Sequence, residues 1–216
     1  MTAVAPQIDF GDPRGLTDLS TFIGRARVAV PEGAIRLQVP GRGLLVVTVA
    51  VLEGSGLMGD GTVLGLRAVR IRDATPGIDA TVTFASVADR LARHRGTETT
   101  LSVPPTTVSP PWAGLAPPRE GWERVGALEA AEVGSAAERG IAEVAEGSPE
   151  GSGGAAVTAL RRRVWGAMTR TVPPIAAGLA FGAHVLGFLR EGEQITVATC
   201  GRWTRLSTSR GHVLVR

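Results

Sequence analysis

Apolar and polar residues alternate strictly from Ala34 to Val39. Ile35, Leu37 and Val39 fall on one side, Arg36 and Gln38 on the other. A period of two predicts a strand with one buried face. Leu44–Leu52 (LLVVTVAVL) is a nearly continuous β-branched run and predicts a strand buried on both faces. Val63–Arg72 and Ala80–Phe84 continue the strand pattern, and Leu101–Val103 offers a short last strand. Helical spacing interrupts it twice. TDLSTFIGRAR, capped by Thr17, aligns Leu19, Phe22, Ile23 and Ala26 on one face. SVADRLARHR opens on Ser86, with Asp89 at capping-box spacing. Residues 1–15 read as a loose arm.

The pattern then breaks. Pro104 to Trp122, PPTTVSPPWAGLAPPREGW, holds three Pro-Pro pairs and two of the four tryptophans. Proline fixes φ and donates no N–H, so this belt cannot be helix or central strand and reads as an extended crossover. Trp112 and Trp122 carry too much apolar area to leave in water, so they are expected to clamp the belt and to line a pocket beneath it.

Beyond the belt the period becomes helical. Ala127–Glu146 is alanine-rich and acidic, and Gly134 and Gly140 divide it into two short predicted helices. GSPEGSGG (147–154) has linker composition. Ala155–Arg170 predicts an amphipathic helix with Val157, Leu160, Val164 and Met168 as its stripe. Pro173 and Pro174 suit the first turn of a further helix, Ile175–Leu189, apolar all round and therefore buried. Its Gly178 and Gly182 admit a close neighbour. Ile195–Cys200, Trp203–Thr208 and His212–Val215 close the chain as strands, turning at Gly201 and Gly211.

The fold class expected is α+β. A mainly antiparallel N-terminal sheet with helices (1–103) leads through the Pro/Trp belt (104–126) and an acidic helical segment with linker (127–154). A basic unit of two helices and a β-hairpin (155–216) ends it. PPWAGLAPPREGW and WTRLSTSRGHVLVR resemble stretches of uncharacterised proteins from high-GC actinobacteria. That resemblance implies a source and no activity.

Charge sharpens the division. Lysine, asparagine and tyrosine are absent, as a GC-rich genome would have it, so all 23 basic residues are arginine. Residues 1–150 carry 14 Arg against 18 Asp and Glu; residues 151–216 carry 9 Arg against 2 Glu. Such asymmetry marks either an acidic partner, protein or nucleic acid, or two segments that attract each other. The partner-facing candidates are Arg161, Arg162, Arg163, Arg170, Arg202, Arg205 and Arg210. The 127–146 stretch, with Glu129, Glu132, Glu138, Glu143 and Glu146, is the candidate internal partner.

Catalytic and cofactor signals are weak. Gly54-Ser55-Gly56-Leu57-Met58-Gly59 spells GxGxxG, but strand-like residues follow where a phosphate-binding helix is required, so it reads as a loop between strands. The single cysteine, Cys200, excludes an internal disulfide framework, and it reads as a small buried hydrophobe rather than a nucleophile served by His184 or His212. His184 reads as a core histidine. Glu191 and Glu193 read as turn residues. No metal-ligand spacing is present, and no cofactor is expected. The order of helix, helix and hairpin suggests a winged helix, but an apolar second helix cannot read a major groove.

The N-terminal sequence has neither the basic start nor the apolar core of a signal peptide. The longest apolar run has 15 residues, short of the roughly 20 that span a bilayer. The expectation is a non-enzymatic cytoplasmic binding or interaction protein with no membrane partner. The alternatives are a small-molecule binder or enzyme with its pocket under the belt, and a homo-oligomeric structural protein joined through the Gly178/Gly182 helix.

Overall fold

The computed structural model describes residues 5–54, 59–148 and 153–216. Along the chain the elements are β1 (Gln7–Asp9), α1 (Pro13–Ala29), β2 (Ala34–Gly41), β3 (Leu44–Leu52), β4 (Val63–Arg70), β5 (Asp73–Ala74) and β6 (Asp79–Thr83). Next come α2 (Phe84–Ala92), β7 (Thr100–Ser102), β8 (Glu123–Glu129), α3 (Ala130–Glu146), α4 (Gly154–Gly166) and α5 (Ala177–Val185). β9 (Gln194–Cys200), β10 (Trp203–Thr208) and β11 (Gly211–Val215) complete it. The α+β expectation holds, with antiparallel pairing throughout the registers described.

Two compact units emerge. The first comprises Met1–Ala50 with Leu66–Gly114, the second Val51–Gly65 with Leu115–Arg216. β3 and β4 each supply residues to both.

In the first unit β6, β2, β3 and β4 follow one another, and a small sheet runs β5-β1-β7. β2 pairs with β3 through Ile35↔Val49 and Leu37↔Val47, all four fully buried, as the two-residue alternation predicted. Within the N-terminal stretch expected to be loose, Gln7–Asp9 forms β1, which pairs with β5 and β7, and Ile8 is buried opposite Leu101. α1 starts earlier than Thr17 suggested. Asp12 caps it, accepting from Arg14 N at 2.8 Å, and Pro13 fills the position where a missing N–H costs nothing. α2 is likewise capped by Thr83, whose Oγ1 accepts from Ser86 N at 3.2 Å.

The first half of the belt runs beside the β6 edge: Val108 N donates to Thr81 O at 2.8 Å. Arg36 anchors it further along, donating to Ala113 O at 3.1 Å while its other nitrogens hold Asp79 at 2.7 and 2.8 Å. The hydrogen bond from Arg36 holds the Asp79 carboxyl below its usual range against the opposing effect of burial. An edge strand with a strap along it no longer offers a template for another chain.

In the second unit the order is β4-β11-β10-β9-β8. The predicted helix bounds fail here for local reasons. Residues 127–129, expected to start a helix, are instead the end of β8, because pairing with β9 satisfies their backbone. The helix begins only at Ala130, where Glu129 and Glu132 form a capping box with Glu132 Oε2 accepting from Glu129 N at 3.0 Å. α3 runs unbroken through Gly134 and Gly140. Gly140 is needed for space, since a Cβ there would collide with the Trp165 ring.

α4 stops at Gly166, so Met168 leaves the apolar stripe and stands 61% exposed. α5 is shorter than its apolar run. Thr169, Ile175, Ala167 and Ala177 exchange backbone bonds instead, and the two prolines lie in the turn before the helix. The glycines of α5 act as expected. A Cβ at Gly182 would lie 2.7 Å from Val213 Cγ1, 3.1 Å from Val63 Cγ1 and 3.2 Å from Val51 Cγ2.

Replacing Gly182 by Ala therefore overpacks the α5–sheet contact and should lower unfolding free energy by about 1–3 kcal/mol. Gly24→Ala, on α1 where a methyl group would meet no other atom within 4 Å, should be neutral or stabilising by up to ~1 kcal/mol. Urea unfolding of the two variants checks this; equal midpoints would contradict the close approach.

Candidate functional site

The seven arginines do not form one surface. β10 alternates: Leu206 pairs with Val213 and Val197, while Arg205 pairs with Leu214 and Ala198. α5 packs on the Val213 side, at Gly182. Arg205 therefore lies on the sheet face opposite the helices.

There it sits 4.3 Å from the Trp122 ring centroid. Trp122 is held by its Nε1–H, which donates to Pro118 O at 2.9 Å. Stacking satisfies the guanidinium plane, but Arg205 Nε is buried with no hydrogen-bond partner. Burial lowers the Arg205 pKa from its ordinary value.

Arg202 and Arg210 occupy the turns at opposite ends of β10. Both are exposed. Arg210 donates to Gly187 O at 3.1 Å, and its turn is pinned by Glu193, which accepts from Ser209 N at 2.5 Å and Ser209 Oγ at 3.2 Å. Arg170 is exposed in the segment after α4.

Arg161, Arg162 and Arg163 stand together on α4, whose Val164 and Trp165 face inward. Arg163 lies 3.5 Å from Glu143 Oε1 on α3, with both side chains exposed to solvent. The internal attraction foreseen between acidic and basic segments is thus present at one pair. Exposed pairs of this kind contribute little. Arg161 and Arg162 face no carboxylate within ion-pair distance among the described residues.

The two belt tryptophans belong to different units. Trp112, in the turn Pro111–Gly114, is 4% exposed and belongs to the first. Trp122 belongs to the second.

The catalytic candidates stay apart. Cys200 is half-buried with Sγ 3.7 Å from Glu120 O. It pairs with Trp203, whereas His212 pairs with Ser207, four residues or about 13 Å along β10. No imidazole on that strand pair can activate the thiol. His184, expected in the core, is exposed on α5: Ala183 and Phe181 take the inward positions. Gly54 and Gly59 of the GxGxxG stretch flank a connection that runs directly into β4; Ser55 to Met58 lie outside the described residues. Among the described residues no three His, Cys, Asp or Glu side chains gather as metal ligands. No helix there is long and apolar enough to cross a membrane.

His212 is the clearest electrostatic feature missed from sequence. Its Nδ1 lies 3.0 Å from Ser207 Oγ, and burial followed by the Arg205 charge lowers its pKa below 6.5. Only strand register places the two together, two residues apart across β10 and β11.

Two family descriptions match the sequence. Residues 4–114 match a domain of unknown function, DUF8010, and residues 117–216 match another, DUF8185. No curated protein matches. Solved structures do. A DNA polymerase sliding clamp from Caulobacter crescentus is similar over 99% of this chain and 65% of its own, with TM-score 0.56 and 11% identity. The DNA polymerase III beta subunit from Thermotoga maritima is similar over 98% and 64%, with TM-score 0.54 and 11% identity. That from Pseudomonas aeruginosa gives 97% and 63%, with TM-score 0.52 and 11% identity. The chain thus spans just under two thirds of these clamps, and the likeness is one of fold.

The lowered His212 pKa fixes a pH dependence. Between that value and about 6.5 the unfolded chain binds a proton that the folded chain does not. The stabilisation is complete above pH 6.5 and is lost as pH falls through the folded value. Urea midpoints measured from pH 7.5 down to 5 should fall, and the fall should be shallower in His212→Gln. An identical slope in the variant would contradict the assignment.

Proposed function

The chain belongs to the DUF8010 family, and we propose that it is a non-enzymatic, DNA-interacting protein built on a sliding-clamp-like fold. The observation that carries this reading is the fold likeness to DNA polymerase sliding clamps along 99% of the chain.

DNA contact in this reading falls on α4. Arg162 is exposed and Arg161 half-buried on this helix, with no carboxylate within ion-pair distance among the described residues, and guanidinium groups fit phosphate oxygens. α3 is a poor alternative: Glu132, Glu138, Glu143 and Glu146 are exposed against a single Arg139. Arg205 is a poor one too, because Trp122 covers it.

Binding to duplex DNA should weaken steeply with salt through counterion release. Fluorescence anisotropy across a salt series should show the slope falling by about 2 in the double variant Arg161→Gln, Arg162→Gln. Absence of binding at low salt would refute the DNA reading. An unchanged slope would move the contact away from α4.

A second observation supports self-association. β8 ends the sheet order of the second unit, and Val125 on it is 48% exposed. A terminal strand with an exposed apolar side chain suits pairing with another copy of the chain. Light scattering should give a multiple of the 22.3 kDa chain mass. A monomer at micromolar concentration would end this part of the reading and leave the DNA part standing.

A further inference from the structure

A second basic cluster, outside the seven C-terminal arginines, surrounds a cavity of about 470 Å³ in the first unit. Its lining is Gln7, Arg90, Arg93, His94, Glu98, Thr100 and Ser102. Every one of these side chains is polar. A ligand with no polar or charged group would leave these donors and acceptors unpaired.

The arrangement follows from register. β1 and β7 pair Gln7↔Ser102, Ile8↔Leu101 and Asp9↔Thr100. Ile8 and Leu101 point into the core, so Gln7, Thr100 and Ser102 share the opposite face. The ladder bonds at Phe10 N→Thr99 O and Val103 N→Pro6 O fix the alternation. They leave the N–H groups of Thr100 and Ser102 directed away from β1, since β7 is the last strand of its sheet.

The C-terminal end of α2 supplies the positive charge. Arg90 spends one nitrogen on Ser86 O at 2.9 Å. Arg93 caps the helix and is exposed, with no carboxylate in ion-pair range among the described residues. His94 Nδ1 lies 2.9 Å from Glu98 Oε2 without the alignment of a hydrogen bond. Glu98, the one carboxylate in the lining, faces His94 and also accepts from Arg95 N at 3.3 Å. The lining thus pairs two guanidiniums with two hydroxyls and an amide, and its acid is turned to its own turn.

We propose that this cavity is a phosphate site, taking the terminal phosphate of a small phosphomonoester such as a mononucleotide. Arg90 and Arg93 present forked N–H donors to the phosphate oxygens, and Thr100, Ser102 and Gln7 complete the shell. The size suits a mononucleotide better than inorganic phosphate alone. The site is distinct from α4, so it stands or falls separately from the DNA reading.

Isothermal titration of the whole chain tests it, with inorganic phosphate, deoxyadenosine monophosphate and deoxyadenosine as probes. Both phosphate-bearing probes should bind, the mononucleotide more tightly, and deoxyadenosine should not. Arg93→Gln should weaken both by at least about tenfold, while Arg202→Gln in the second unit changes neither. Circular dichroism of Arg93→Gln shows whether its fold is kept; if it is lost, Thr100→Val takes its place. Equal binding of deoxyadenosine, no binding of any probe at millimolar concentration, or an Arg93→Gln chain that binds normally would each overturn the proposal.

Discussion

Trp165 reaches from α4 into the notch that Gly140 leaves in α3 and stacks on Phe181 of α5, ring centroids 4.4 Å apart. The three helices of the second unit meet at this one indole. α5 in turn lies close to the sheet because Gly178 and Gly182 remove the side chains that would hold it off: Val63, Val51, Leu52 and Val213 fill their places. A side chain at Gly140 would displace the ring, and with it the seat of α4. Large aromatic area concentrated at a close helix crossing is an efficient way to fix a helical layer rich in alanine and glycine. The arginines proposed to meet DNA stand on the same helix as this anchor, so their position depends on it.

The opposite face of that sheet works by different physics. Trp122, carried on the second half of the belt, lies over Arg205, and burial, followed by the Arg205 charge, lowers the pKa of His212. Half-buried beneath this ring with its Nε enclosed and unpartnered, Arg205 is less open to an acidic partner than an exposed arginine. The same arginine that looks like an interaction residue in sequence acts as a packing element in the fold. In the first unit the belt has another task, lying along β6 through Val108 and Arg36.

Strands were legible where burial is periodic. Ile35 and Leu37 on β2, the apolar run of β3 and the three closing strands lie where alternation placed them. Helix boundaries were less legible, because caps depend on neighbours in space. Ala127 and Leu128 have helical composition, yet β9 takes them into a sheet. Gly140 reads as a helix breaker until Trp165 appears beside it. Met168 has the right spacing for α4, but backbone bonding at Thr169 and Ala177 ends the helix first. The arginines were visible one by one; their dispersal was not, since it depends on strand parity and on which turn each occupies. The phosphate cavity drew no notice in sequence because Gln7 is far from Arg93 along the chain and only the β1–β7 pairing unites them.

The central claim is that this fold meets DNA through the helical layer of the second unit. Ultraviolet cross-linking of the chain to duplex DNA, followed by mass spectrometry of the linked peptides, tests it most directly. The account predicts linked peptides from residues 154–166, around Arg161 and Arg162, and none from β10. Links confined to the β10 strand and its turns, or no links at low salt, would contradict it.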